Sequence, residues 1–250
     1  GLSFSKIIKE SYPEIPVVWG GWHVSVLPEE SIKDSNVDVI VKGLGQVTFL
    51  KLVNAIASRE KDFSSIPGIY FKRSGEIVKT VEDQNVLLGT VALPAFDLLD
   101  LEYYRQQSMH LRHKPVIDGL DITGYLYYVS SFGCPCVCSY CCNDNLFRRR
   151  SYPYSLEKVV DQIKYLVEEK GFNSIGFMDA NFFVNLDRVE ALCGLIIQKD
   201  IRFVWDAQMH VGDIIRYDKK GILKLIRQSG CFRVNIGSES GSQEVLDYIN

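Results

Sequence analysis

Five of the seven cysteines fall within nine positions: Cys134, Cys136, Cys138, Cys141 and Cys142. Buried structural cysteines behave as small apolar residues scattered along core faces, so packing does not account for such a run. Three chemistries compete for it. A disulfide knot suits small secreted chains; no leader segment is evident here, and seven cysteines are few for 250 residues. A structural zinc site takes two ligand pairs, and no second pair follows at finger or ribbon spacing. An iron–sulfur cluster draws thiolates at short spacing from one loop, and the run suits it best.

The register sharpens this reading. The only C-x3-C-x2-C triplet in the run is Cys134, Cys138 and Cys141, with the aromatic Tyr140 just before the last cysteine. A strand over residues 127–131 leads straight into Phe132-Gly133-Cys134-Pro135. Together these residues resemble the signature loop of radical S-adenosylmethionine enzymes. The resemblance implies that the three thiolates hold three irons of a 4Fe–4S cube. The fourth iron stays open, as one position stays open at catalytic zinc, and S-adenosylmethionine fills it. Reductive cleavage to a 5′-deoxyadenosyl radical is the activity implied, with the cofactor carrying the chemistry and the protein positioning it.

Such a loop needs a scaffold, and the pattern beyond residue 126 supplies one. Ser155 is placed to cap a helix whose Leu156, Val159, Val160, Ile163 and Val167 recur at helical spacing. The strand 174–178 follows, then a helix using Val189, Leu192, Cys193, Ile196 and Ile197, then strands at 202–205 and 232–236. Strand and helix alternate four times, which predicts a parallel sheet with its site at the strand carboxyl ends. Polar residues collect there: the cysteine loop, Asp179 with Asn181, Gln208 with His210, and Glu239 with Ser240. The family barrel resembles this order with six units, so two more are expected beyond Asn250. By the same resemblance Tyr140, Asp179, Asn181, Glu239 and Ser240 are the S-adenosylmethionine candidates. Asp179 matches the strand end that binds the methionine amino group, and Glu239 the carboxylate that holds the ribose hydroxyls. The plainer roles are a helix cap for Glu239 and a satisfied strand-end histidine for His210.

Residues 1–60 read as the back half of an open α/β domain. Strands at 16–19 and 37–41 each end in a glycine turn, Gly20-Gly21-Trp22-His23 and Gly43-Leu44-Gly45-Gln46. Glycine at such ends lets backbone approach a ligand. Set beside the cysteine loop, these phrases resemble the Rossmann-like cobalamin-binding domain that precedes the radical domain in one large subfamily. That resemblance makes Gly20, Gly21, His23, Gly43 and Gly45 cobalamin candidates, although Leu44 and Gln46 depart from its usual Gly-Glu-Gly-Glu phrase. Residues 61–125 are expected to connect the halves, with a hairpin signal at Arg73-Ser74-Gly75 and a linker phrase at 93–99.

The fold expected is therefore α/β: a partial (β/α) radical S-adenosylmethionine half-barrel over 126–250, truncated at its C-terminal end, after the C-terminal part of a cobalamin-binding domain. A net charge of −3 excludes the basic footprint of a nucleic-acid binder. No apolar run reaches the roughly twenty residues of a membrane span. Free thiolates point to the cytoplasm. The resemblance implies cobalamin-dependent methylation or a related transformation of an unactivated carbon. The substrate would be a small or lipid-like molecule, and the electron donor one such as flavodoxin or ferredoxin. Two alternatives stand beside it, a radical oxidoreductase or ring-forming enzyme without functional cobalamin and a non-catalytic iron–sulfur or zinc scaffold. The register itself is open to test by single substitution. Cys→Ala at 134, 138 or 141 is expected to abolish cluster content after anaerobic reconstitution, whereas Cys136→Ala and Cys142→Ala retain it. Loss at Cys136 with retention at Cys134 would show the register to be shifted.

Overall fold

Val39, Ile40 and Val41 are all buried. Successive strand residues point to opposite faces, so this strand is covered on both sides. The computed structural model describes residues 1–82, 94–110 and 116–249. Parts of the connecting stretch 61–125, including Leu93 of the linker phrase, lie outside the described residues. The chain divides into two compact units, Gly1–Leu87 and Leu88–Asn250.

The first unit runs α1 (Leu2–Ser11), β1 (Val18–Trp19), α2 (Trp22–Val26), α3 (Pro28–Ser31), β2 (Val39–Val41), α4 (Gln46–Ala57), β3 (Ile69–Arg73) and β4 (Glu76–Lys79). Its sheet has the order β1-β2-β3-β4. β1 and β2 are parallel, with Val18 opposite Val39. Val39 and Val41 pack with Leu52 and Ala55 of α4 and with Ile69 and Phe71. Ile40 packs the other way, with Val24, Ile32, Val37 and Tyr70. The turn joining β3 to β4 has Ser74 at φ 54° and Gly75 at φ 85°, both left-handed, as a two-residue hairpin turn of the I′ kind requires. Val41 pairs antiparallel with Ile69, so this hairpin, read from sequence within the connecting stretch, continues the first sheet.

The second unit begins with α5 (Leu101–His110) and a short hairpin, β5 (Val116–Ile117) and β6 (Leu120–Asp121). Then come β7 (Tyr125–Tyr128), β8 (Ser131–Phe132), α6 (Asn143–Phe147), β9 (Tyr152–Pro153), α7 (Leu156–Lys164) and β10 (Ser174–Phe177). The order closes with α8 (Leu186–Gln198), β11 (Val204–Met209), α9 (Val211–Lys219), α10 (Leu223–Gln228), β12 (Cys231–Ile236) and α11 (Gln243–Ile249). Strands β7, β10, β11 and β12 form one open, wholly parallel sheet in that order. The Ser155 hydroxyl caps α7, as the sequence predicts, and Asn185 and His210 cap α8 and α9. Capping satisfies amide donors that the first helical turn leaves unpaired. Among the described residues no helix is long and apolar enough to cross a membrane.

The two faces of this sheet differ. Ile175 and Phe177 share one face with Trp205, around which Phe177, Phe182 and Phe183 gather at ring-centroid distances of 5.6, 5.4 and 6.2 Å. The Trp205 indole donates to the Ser229 carbonyl at 3.0 Å, tying the face to the end of α10. The opposite face carries Tyr125, Gly176, Asp206 and Arg233. Asp206 is 4 % exposed. It accepts from Tyr125 at 3.4 Å and Asn235 at 3.1 Å, and pairs with Arg233 at 3.2 Å, as a buried charge must. Tyr125 reaches Asp206 by lying over Gly176, where a Cβ would overlap its hydroxyl and come within 2.7 Å of Cζ. Gly176→Ala is therefore expected to lower stability by about 1–3 kcal/mol through overpacking. That is a drop of several degrees in melting temperature, and an unchanged melting curve would count against this packing.

Candidate functional site

The cysteine loop is built on a closed neck. After β7 the chain passes through Ser130 into β8, which pairs antiparallel with β9, Ser131 opposite Pro153 and Phe132 opposite Tyr152. Residues 133–151 form the lobe between them. Gly133 opens it at φ 80°, and a Cβ there would strike the Arg150 carbonyl and come within 2.9 Å of Phe147 Cβ. Only glycine meets both demands, and Cys134 follows directly.

Within the lobe Cys134 is buried, Cys136, Cys138 and Cys141 are half-buried, and Cys142 is exposed; all are free thiols. Burial pushes the Cys134 thiol up to about 11, and the neighbouring Cys136 and Cys138 lie close enough to add to the effect. Asn143 Nδ2 donates to Cys141 Sγ at 3.4 Å, and the Cys141 amide bonds the Cys138 carbonyl at 3.0 Å. Among the described residues no three His, Cys, Asp or Glu side chains form the shell of one metal ion. Thiolates on a 4Fe–4S cube each bind a separate iron, so they stand farther apart than a single ion's ligands. The donor chemistry of the loop, unpaired thiols on one glycine-hinged segment, fits such a cluster.

The other predicted residues fall into two groups. Tyr140 and Glu239 come together: the Glu239 carboxylate beside the exposed Tyr140 phenol pushes it up to about 12, with Cys138 also near. Glu239 sits at φ 55°, a left-handed backbone uncommon for residues other than glycine, asparagine and aspartate. The tight turn around it is closed by the Ser240 amide on the Ser238 carbonyl at 2.6 Å. Asp179 and Asn181 instead face the protein. Asp179, 2 % exposed, accepts from the Ser130 amide at 2.7 Å, the Ser130 hydroxyl at 2.7 Å and the Ser131 hydroxyl at 2.6 Å. Burial pushes its carboxyl up, against those hydrogen bonds and the Arg188 charge. Asn181 accepts from the Phe183 amide and donates to Asp213 at 3.2 Å.

In the first unit both glycine turns leave the carboxyl edge of the parallel pair β1–β2. Gly21 lies at φ 96° and Gly43 at φ 74°, and a Cβ on Gly45 would come within 2.8 Å of Val41 Cγ1. His23 is exposed. Sequence reasoning missed Ser25, whose hydroxyl donates to the Gly21 carbonyl at 2.6 Å and accepts from the Gly43 amide at 2.9 Å. It missed Ser130, Ser131 and Arg188 as well. No local signal marks these residues, since each acts across a long stretch of chain.

The burial order predicts thiol reactivity. With its thiol pushed up to about 11, Cys134 has only about one thousandth of its population as thiolate at pH 8. Cys193 and Cys231, buried and pushed up to about 11 and about 12, resemble it. In cluster-free reduced protein, iodoacetamide is expected to label Cys142 first and these three last, with the slow group gaining as pH rises towards 11. Peptide mass spectrometry reads the order, and equal labelling of Cys134 and Cys142 would contradict the burial.

Comparison with known proteins agrees with this architecture. Residues 128–250 match the sequence profile of the Radical SAM superfamily. Over 98 % of its length the chain is 28 % identical to half of an uncharacterized methyltransferase, PH0819, of Pyrococcus horikoshii. It is likewise 28 % identical, over 98 % of its length, to 42 % of the anaerobic magnesium-protoporphyrin IX monomethyl ester cyclase of Rubrivivax gelatinosus. The chain thus spans about half the length of these relatives. Among solved structures, the radical S-adenosylmethionine methyltransferase TsrM of Kitasatospora setae, with cobalamin and a 4Fe–4S cluster bound, aligns at a TM-score of 0.75. That alignment has 21 % identity and covers 97 % of this chain and 46 % of TsrM. The cobalamin-dependent enzyme OxsB aligns at 0.74 over 99 % of this chain and 35 % of its own. The glycine-hinged cysteine loop at the end of the first strand of an open parallel sheet and the matched profile agree: residues 128–250 are a radical S-adenosylmethionine domain.

Proposed function

We propose that this chain carries the core of a cobalamin-linked radical S-adenosylmethionine enzyme, acting anaerobically in the cytoplasm on an unactivated carbon of a small or lipid-like substrate. The observation that carries it is the Gly133-hinged loop, which presents Cys134, Cys138 and Cys141 at the carboxyl end of β7. In this reading those three thiolates hold the cluster. When bound and reduced by a flavodoxin- or ferredoxin-like donor, the cluster supplies the electron that cleaves S-adenosylmethionine to methionine and a 5′-deoxyadenosyl radical. The protein's part is placement. Glu239 offers a carboxylate that can accept from both ribose hydroxyls, Ser240 lies beside it, and Tyr140 of the loop stands near it. Asp179 and Asn181 support the strand ends from behind.

The glycine edge of the first unit supports the cobalamin half of the reading. Gly21 and Gly43 leave backbone open to a ligand, with Gly20 and Gly45 flanking them in the turns; His23 is exposed there, and Ser25 fixes the two turns to each other. We take this domain to span residues 1–60 with the hairpin added, ahead of a radical domain from residue 126. Methyl transfer follows from the names of the methyltransferase relatives. Ring formation is a second reading, favoured by the equal identity to the cyclase.

The test is anaerobic reconstitution followed by reduction with S-adenosylmethionine. A 4Fe–4S spectrum perturbed by S-adenosylmethionine, with release of 5′-deoxyadenosine, is expected. Zinc or iron uptake without cleavage would leave a scaffold protein. Glu239→Gln keeps one acceptor and loses the charge. It is expected to weaken S-adenosylmethionine binding by about tenfold, roughly 1.4 kcal/mol, with iron and sulfide content unchanged.

A further inference from the structure

We propose that Asp179 is a positioning residue, whose buried carboxylate clamps the root of the cysteine loop and so sets where Cys134 stands. This deepens the cluster reading and rests on it. The parallel register places Phe177 opposite Tyr128, and the Met178 amide bonds the Tyr128 carbonyl at 2.8 Å. Two residues beyond each strand, Asp179 and Ser130 therefore meet. Every polar atom of Ser130 is then engaged. Its amide and hydroxyl donate to Asp179. Its carbonyl accepts from the Tyr154 amide at 3.0 Å and from Arg188 at 3.3 Å. Ser131 adds a third bond to the same carboxylate.

A carboxylate has about four acceptor positions, and three of those on Asp179 are filled from within the chain. Little capacity is left for a ligand's amino group. Arg188 gives a second, independent sign. It lies in the first turn of α8, where the helix dipole disfavours a cation. It stands there half-buried, donating to the Tyr154 and Ser130 carbonyls at 2.8 and 3.3 Å, with the Asp179 charge acting on it. Asp179 and Arg188 thus hold the two peptide groups that flank the Ser130 Cα, four residues before the first cysteine of the triplet.

The test uses Asp179→Asn and Ser131→Ala in the full chain, with Ile163→Val as a core variant remote from the loop. The first readout is amide hydrogen exchange at Gly133 and Cys134 in cluster-free protein, with Ile175 and Gly176 as internal reference. The second is the rate of iron release to a chelator after reconstitution. Asp179→Asn is expected to speed exchange at 133–134 selectively. It should also speed iron release by about tenfold, the factor of one charge-assisted hydrogen bond. Ser131→Ala should act in the same direction, non-additively with it, while Ile163→Val moves neither readout selectively. Wild-type exchange and iron release in Asp179→Asn would overturn the proposal; weaker S-adenosylmethionine binding alongside would make Asp179 a ligand contact instead. If Asp179→Asn does not fold, Ser131→Ala decides by the same two readouts. A wild-type chain that takes up no cluster would end the cluster reading and this proposal with it, while the exchange data would still report the clamp itself.

Discussion

The parallel register between β7 and β10 is the constraint on which the second unit depends. A one-residue slip would turn every side chain to the other face, moving Phe177 away from Trp205 and Gly176 out from under Tyr125. The register is specified from both sides of the sheet. On one face the aromatic group around Trp205 fits only with Phe177 and Ile175 pointing towards it. On the other, Tyr125 passes over a residue without a side chain to reach Asp206. Apolar packing and a buried polar network select the same alignment. The polar strand ends then arrive level with one another, which is what a site assembled from several strands requires.

Much of this was legible in the sequence, for physical reasons that differ from case to case. The cysteine spacing stands out because ligand spacing within one loop is a local property, and the register drawn from it remains a proposal. The Ser155 cap and the Ser74-Gly75 turn were legible because caps and tight turns are set by residues within one turn of chain. Asp179 was visible as a strand-end acid and, by resemblance, as an S-adenosylmethionine candidate. Its bonds to Ser130, 49 residues earlier, could not be read from the local pattern. Ser25 escaped notice because serine is common in short helices, and only the meeting of two turns gives this one a task. Nothing in the local pattern of Glu239 signals a left-handed backbone, which belongs to the turn as a whole.

The first unit shows the same division of labour on a smaller scale. Its core is apolar on both faces of β2, while its open edge is made of glycines held by a hydroxyl. The hairpin β3–β4 extends that sheet on the side away from β1. The glycine edge therefore lies at the ends of β1, an edge strand, and of β2, which the hairpin supports on its other side, and side-chain bulk is kept off the turns themselves.

The neck formed by β8 and β9 gives the cysteine lobe a property of its own. Both of its ends are pinned by the Ser131–Pro153 and Phe132–Tyr152 pairs, so the lobe is a closed excursion from the sheet and not a link between two of its strands. A change of shape inside it reaches the rest of the unit by the neck and by two further contacts, where Ser139 Oγ donates to the Ile249 carbonyl of α11 and Tyr140 stands beside Glu239. Drift in the length and sequence of the excursion is thus uncoupled from the strands that carry it but not from α11 or the turn after β12.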